Sequence, residues 1–316
     1  MYFPYFRGKQ FELLAIRESA PLIARSGFIP IIEPVRESLG GLERALSALT
    51  GAGAQALVVI NPRHGDHREN GDNITALLEQ EHLRGDLVRA AILLTSDTSI
   101  EEVTEQLSRR EELGTALIHA GFTEPRLLAD SLGPRLATIR NIFLDDQTNL
   151  LYRRHFSGST RILVNDGFER MKNADYQLVD NFSDLHVTFG ERGMDGYGDF
   201  LTVGDNYSEG GGPAYAVAIH LTFINPSQDD AMYIYHFVSD SNDTPVDPAG
   251  KFAQALGKLI NRVDSGDSGL LETTAIHEFR SLYQRGHFPG LGYIKKLSII
   301  HHLETLADFH EERPSA

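Results

Sequence analysis

The sequence predicts an α/β protein: a TIM-like (β/α)8 barrel with a β-hairpin inserted near its C-terminal mouth and helices appended after it. Three observations carry this. Short apolar runs that stop at a polar residue recur along the first half: Phe28-Ile-Pro-Ile-Ile-Glu33, Ala56-Leu-Val-Val-Ile-Asn61, Ala90-Ala-Ile-Leu-Leu-Thr95, Ala116-Leu-Ile-His119, Ile142-Phe-Leu-Asp145 and Ile162-Leu-Val-Asn165. A helix-like segment separates each run from the next, at roughly the 25–30-residue spacing of a strand–helix repeat, and parallel strands buried on both faces read as such continuous runs. No G-x-G-x-x-G or Walker loop follows an early strand, which disfavours the doubly wound alternative.

Taken in order, Tyr2–Phe6 reads as the first strand. A helix over Gln10–Ser26 follows, with Phe11, Leu14, Ala15, Pro21, Leu22 and Ile23 spaced for one buried face and Pro21 also expected to kink or break it. Gly27 ends that helix. Further helices are expected over Leu39–Thr50, Asn73–Arg84, Ile100–Leu113, Pro125–Leu136 and Gln147–Phe156. Thr98 and Ser99 ahead of Glu101 and Glu102 form an N-terminal cap signal. The eighth strand has two candidates, Leu185–Phe189 and Phe200–Val203, of which the second is preferred. Paired strands over Ala216–Ile224 and Met232–Val238 then form a hairpin that would roof the barrel mouth. A closing helix, Ala249–Val263, completes the eighth unit, and Glu272–Glu311 reads as two helices interrupted around Gly286–Gly292. The expected domains are residues 1–264, a barrel that includes the 206–248 Gly-rich loop and hairpin, and residues 265–316, a helical segment packing on it.

The 316 residues, 41% of them hydrophobic, are enough for a large core. The formal charge of −15, from 44 acidic against 29 basic residues, opposes extensive binding to duplex nucleic acid or to anionic membranes. The absence of cysteine removes disulfides, thiolate catalysis and Cys-ligated zinc, and fits the cytosol. The N-terminus lacks the pattern of a signal peptide, and no apolar run approaches the roughly 20 residues that span a bilayer. A cytoplasmic protein is expected.

Strand C-terminal ends of a β/α barrel share one pocket, so the residues ending the runs are the candidate site. Arg7 and Lys9 flank Gly8 after the first strand. With Arg63 they compose a basic patch suited to a phosphate or carboxylate, or else they pair with Glu33 or Asp145. Glu33 and Asp145, with Asp146 and Asp166 near, could divide acid and base roles or hold a divalent metal; the plainer reading gives Glu33 a salt bridge only. His119 ends the fifth strand as a candidate general base, and Asn61, Asp166, His220 and His236 join Arg7, Lys9 and Arg63 as candidate ligand-binding residues. His220 and His236, on the two hairpin strands, are placed to face each other. His64, His67 and His82 read as surface or loop residues, and His301-His302 carries no catalytic weight. Lys9 as a Schiff-base lysine would need a buried pocket. Gly210-Gly-Gly212 beside Ser208 and Glu209 would wrap an anion, hinge a lid, or pack against the hairpin.

Three stretches carry a family resemblance: Tyr2-Phe-Pro-Tyr-Phe-Arg-Gly-Lys-Gln-Phe-Glu-Leu-Leu-Ala15, Pro30-Ile-Ile-Glu-Pro34, and Gly198-Asp-Phe with Gly204-Asp and Gly-Gly-Gly-Pro213-Ala-Tyr-Ala-Val-Ala-Ile-His220. Together they resemble the phage-type beta-protein family of bacterial and phage proteins. The resemblance spans most of the chain, brings no catalytic assignment, and implies a role in phage–host conflict.

Two functions are therefore carried forward. One is a hydrolase or lyase acting on an anionic small molecule, phosphorylated or nucleotide, with Arg7, Lys9 and Arg63 holding the anion and Glu33, His119 and Asp145 moving protons or binding metal. The other is a non-catalytic binding or sensor component of phage defence, whose irregular 166–212 stretch, hairpin and appended helices offer surface to a protein partner or a second copy. Nucleic-acid processing, limited to a single-strand end or nucleotide in the pocket, stands behind both.

Overall fold

The computed structural model describes residues 1–80, 83, 85–109, 115–210 and 212–312; His82, Gly211 and the expected helix ends at Arg84 and Leu113 lie outside them. The chain forms two compact units, Met1–Asp166 with Leu185–Phe200 and Gly167–Asp184 with Leu201–Ala316.

The first unit is a (β/α)8 barrel. Its strands are β1 (Tyr5–Phe6), β2 (Ile31–Ile32), β3 (Ala56–Val59), β4 (Val88–Leu94), β5 (Thr115–His119), β6 (Arg140–Leu144) and β7 (Thr160–Asn165), each parallel to its neighbour. Helices α1 (Gln10–Arg25), α2 (Gly40–Gly51), α3 (Asp72–Leu78), α4 (Ile100–Arg109), α5 (Pro125–Leu132) and α6 (Leu150–Arg154) alternate with them. The short helix α7 (Leu185–Thr188) precedes the last barrel strand. The cap before α4 is reciprocal: the Ser99 amide donates to Glu102 Oε2 at 2.8 Å and the Glu102 amide donates to Ser99 Oγ at 3.2 Å. Pro21 does not break α1. It lies on the exposed face, where the carbonyl it leaves without an N–H partner can meet water, and the buried face is Leu13, Ile16, Ala20 and Ile23.

The last barrel strand differs from both candidates. Leu185–Thr188 is helical, and Phe200–Val203 follows rather than forms the strand that pairs with β7 in the sheet. The chain continues through β8 (Val179–Ser183), which lies in the second unit, and the sealing strand is β9 (Gly196–Asp199). The seam runs against the N-terminal residues: the Phe3 amide donates to the Tyr197 carbonyl at 2.8 Å and the Tyr197 amide to that of Met1 at 3.0 Å. A Cβ on Gly198 would sit 2.1 Å from the Phe3 carbonyl oxygen, and one on Gly196 2.9 Å from that of Met1. The strand is glycine-rich because the closing backbones approach too closely for side chains. For the same reason it shows no apolar run.

The second unit is built on a three-stranded antiparallel sheet in which β11 (Ala231–Val238) lies between β10 (Ala218–Asn225) and β8. The expected hairpin is present, with His220 directly opposite His236. The third strand, Val179-Asp-Asn-Phe-Ser183, lacks the apolar content that marks a strand in sequence. Helices α8 (Pro248–Asp264), α9 (Thr274–Arg285) and α10 (Leu291–Glu312) complete the unit. The helix read as closing the barrel's eighth repeat, α8, packs on β10 and β11, so hairpin and α8 group with the C-terminal helices instead of dividing from them at residue 264. α10 is buried on most of its circumference, and His302 Nδ1 meets Thr222 Oγ1 on β10 at 2.9 Å. Among the described residues no helix is long and apolar enough to cross a membrane.

Candidate functional site

In a strand, alternate side chains point to opposite faces. Within the barrel one apolar cluster collects Phe3 and Tyr5, Ile29 and Ile31, Leu57 and Val59, Ala91 and Leu93, Ala116 and Ile118, Ile142 and Leu144, and Ile162 and Val164. These are the inward positions. Continued two residues further, the alternation carries Arg7, Glu33 and Asn61 to the inner side at the C-terminal strand ends. It turns His119 outward, toward the helices.

Glu33 is the keystone of the inner group. It is fully buried, and its Oε2 accepts from the Tyr5 hydroxyl at 2.9 Å and from Arg7 Nη1, while Oε1 accepts from the Arg63 amide at 3.0 Å. Arg7 is itself buried; its guanidinium lies 5.0 Å from the Tyr5 ring centroid and 5.2 Å from that of Phe200, and its amide donates to Glu12 Oε2 at 2.6 Å. Burial and the Glu33 charge push the Tyr5 hydroxyl well above its usual range. Gly8 adopts φ +62°, and a Cβ there would lie 2.9 Å from the Glu33 carbonyl oxygen, so glycine lets the chain turn tightly over this group.

Around the keystone stand partly exposed basic side chains. Lys9, Arg63 and His64 all have intermediate exposure, and Arg63 Nε donates to His64 Nε2 at 3.2 Å. His64 titrates below its ordinary value. Burial is the main cause; Glu33 opposes it, and Arg7, Arg63 and Lys9 reinforce it. The loop carrying Arg63 and His64 is docked on the loop after β2. The Asp66 amide donates to the Val35 carbonyl at 3.3 Å, the Glu37 amide to Asp66 Oδ2 at 2.7 Å, and His67 Nε2 to the Arg36 carbonyl at 3.0 Å. His67, expected as a surface or loop residue, lies in the loop and is buried by that docking.

The other candidates are engaged elsewhere. Asn61 pairs its amide with the Leu93 backbone, donating to the carbonyl at 2.9 Å and accepting from the N–H at 2.8 Å, so it extends the sheet ladder. His119 is fully buried beneath Phe143 and Phe156; its Nε2 donates to Asn141 Oδ1 at 3.0 Å and its Nδ1 accepts from the Tyr152 hydroxyl at 2.7 Å. Burial lowers its pKa to about 4. An outward, enclosed imidazole is a packing residue, not a base at the mouth. Asp145 leaves the strand in a 3-10 turn and pairs with Arg153 at 2.8 Å and Arg192 at 3.3 Å. Asp166 is exposed after β7, and Lys9, partly exposed, lacks the enclosure a Schiff-base lysine needs. Glu33 and Asp145 each hold a guanidinium, and the described residues contain no group of three His, Asp or Glu placed to hold a metal ion.

His220 and His236 belong to the second unit and form a pair there, Nδ1 to Nδ1 at 2.6 Å. In the Gly-rich loop, the Ser208 hydroxyl donates to the Gly210 carbonyl at 2.6 Å. His301 and His302 are buried, His301 between Thr273 Oγ1 and the Thr222 carbonyl. Two members of the barrel cluster were missed by the sequence reading. Tyr5 reads in sequence only as a strand residue and His64 only as a surface or loop residue, although counting by twos from Arg7 reaches the first and adjacency to Arg63 marks the second. A separate open groove of about 690 Å³ lies between the C-terminal halves of α1 and α2, lined by Ala20, Pro21, Ala24 and Ala48 with Arg17 and Arg25. Helix C-termini lead into strand N-termini, so this groove is at the end of the barrel opposite the candidate site. No protein-family model, curated protein or solved structure matches the chain.

Proposed function

We propose that the barrel binds a small anionic ligand, a phosphate or carboxylate compound, at its C-terminal strand ends, and that it does so as a binding or sensor protein. One observation carries the reading: two buried carboxylates, Glu33 and Glu12, share their surroundings with the three cations Arg7, Arg63 and Lys9, all three of which act on His64. A cationic cluster whose Arg63 sits on a docked loop, in a chain of net charge −15, favours anions locally while the surface as a whole repels them. Arg7 is buried, whereas Lys9, Arg63 and His64 are partly exposed, so these three are the residues that reach the ligand. Binding is favoured over hydrolase or lyase chemistry because Glu33, His119 and Asp145 each sit in a closed hydrogen-bond or ion-pair set. The resemblance to the beta-protein family would set this binding in phage–host conflict.

The test is a titration of the full chain with inorganic phosphate and with AMP, followed by calorimetry and by the His64 ring resonances. Saturable binding should raise the His64 pKa, because an anion beside the ring favours its charged form. Binding should therefore tighten as the pH falls through the His64 titration. Arg63→Ala and Lys9→Ala should each weaken binding about tenfold or more, the loss of one charge-assisted hydrogen bond. If neither probe perturbs His64 at millimolar concentration, or if both variants bind like the wild type, the reading fails.

A further inference from the structure

The second unit contains a chain of polar groups that the barrel site does not use. His236 Nε2 lies 3.3 Å from Asp180 Oδ2, a buried oxygen that makes no regular hydrogen bond among the described residues. On its other side, His236 Nδ1 lies 2.6 Å from His220 Nδ1, the two rings being nearly perpendicular at 73°. Tyr176 stacks on His236 at 4.3 Å, and Phe168 meets His220 edge-on at 5.0 Å. His236 is buried, whereas His220 is partly exposed.

Proton positions follow in sequence. A bare Nε2 facing the Asp180 carboxylate would oppose two lone pairs, so that nitrogen carries the proton. Neutral His236 then has a bare Nδ1. A 2.6 Å contact between two ring nitrogens requires a proton between them, and only His220 can supply it. His220 is therefore the Nδ1–H tautomer, and its lone pair is left on Nε2. The titratable and charged groups around the pair are Asp180 on β8, the neutral Tyr176 in the segment before it and Lys295 on α10, with Glu169 and Arg170 acting on Tyr176. Burial, His236 and Lys295 hold His220 well below its ordinary value. Burial lowers His236 to about 4 against the pull of Asp180, so both rings are neutral at pH 7.

We infer that Asp180, His236 and His220 form a tautomer-setting chain that presents His220 Nε2 as a fixed hydrogen-bond acceptor, a binding site for the hydroxyl group of a ligand. The Nε2 of His220 has no partner among the described residues and is not a buried orphan, so it is open to such a donor. Asp180 and His236 are positioning residues: they dictate which nitrogen of His220 accepts.

Long-range ¹H–¹⁵N correlation on the histidine-labelled full chain at pH 7 tests this. The expected spectrum has His220 protonated on Nδ1 and His236 on Nε2. Asp180→Ala, on a strand at the edge of its sheet, should convert both rings to tautomer mixtures while far-UV CD stays unchanged. Diethyl pyrocarbonate, which acylates a bare ring nitrogen, should modify His220 faster than the buried His119 and His301. A wild-type spectrum with the proton on His220 Nε2 overturns the inference, and it decides the matter even if the variant does not fold. Unchanged tautomers in folded Asp180→Ala, or acylation of His220 no faster than of His119, would also overturn it.

Discussion

Replacing Glu33 with glutamine separates a structural keystone from a catalytic acid. The side chain keeps its shape but loses its charge, and Arg7, only 3% exposed, keeps its own charge with no counterion at the place where Glu33 held it. Breaking a buried ion pair from one side costs about 3–5 kcal/mol. Hydrogen-bond geometry adds to this: three donors, from Tyr5, Arg7 and the Arg63 amide, converge on two carboxylate oxygens. Glutamine offers one accepting oxygen and one NH2 group, so at least one donor faces another donor. We expect urea unfolding to show a loss of about 4 kcal/mol and the melting temperature to fall by roughly 10 °C. Arg7→Met combined with Glu33→Met should recover most of the loss, because neither charge then remains buried. A Glu33→Gln protein within about 0.5 kcal/mol of the wild type would refute the reasoning and return Glu33 to the pool of acid–base groups.

Three further outcomes follow from the packing. Gly198→Ala should destabilise the protein by about 3 kcal/mol or more, measured by denaturant unfolding, because its Cβ would collide with the Phe3 carbonyl at 2.1 Å. Gly27→Ala, at φ +64° with open space around the Cβ, should cost only about 1 kcal/mol. His119, lowered by burial to about 4, stabilises the fold fully above pH 6.5, where it is neutral in both folded and unfolded states. As pH falls from 6.5 toward 4 the unfolded state takes up the proton first, and up to roughly 3 kcal/mol is lost. His119→Gln should flatten that part of the stability–pH curve; an unchanged slope would remove His119 from the account.

The barrel was legible because burial on both faces writes each central strand as an apolar run, and β3 to β7 are where those runs place them. β9 was not legible, because the requirement that shapes it is the absence of side chains at Gly196 and Gly198, a demand set by residues 1–3 at the far end of the sequence. The site was legible in part. Arg7, Glu33 and Asn61 sit at strand ends with inward parity, whereas His119 ends its strand with outward parity. The residue that stops an apolar run marks where a strand ends, but only the count of two from the core positions tells which way it points. Pairings such as Asp145 with Arg153 and Arg192 depend on a 3-10 turn and a distant loop, which local pattern does not encode.

Sealing the barrel with β9 has a consequence for biosynthesis. Tyr2 is synthesised roughly 10–40 s before its bridging neighbour Tyr197 at ordinary elongation rates. Until then the growing polypeptide exposes two raw sheet margins, and the first of them must stay clear of other nascent chains and hold out for its own late-arriving mate.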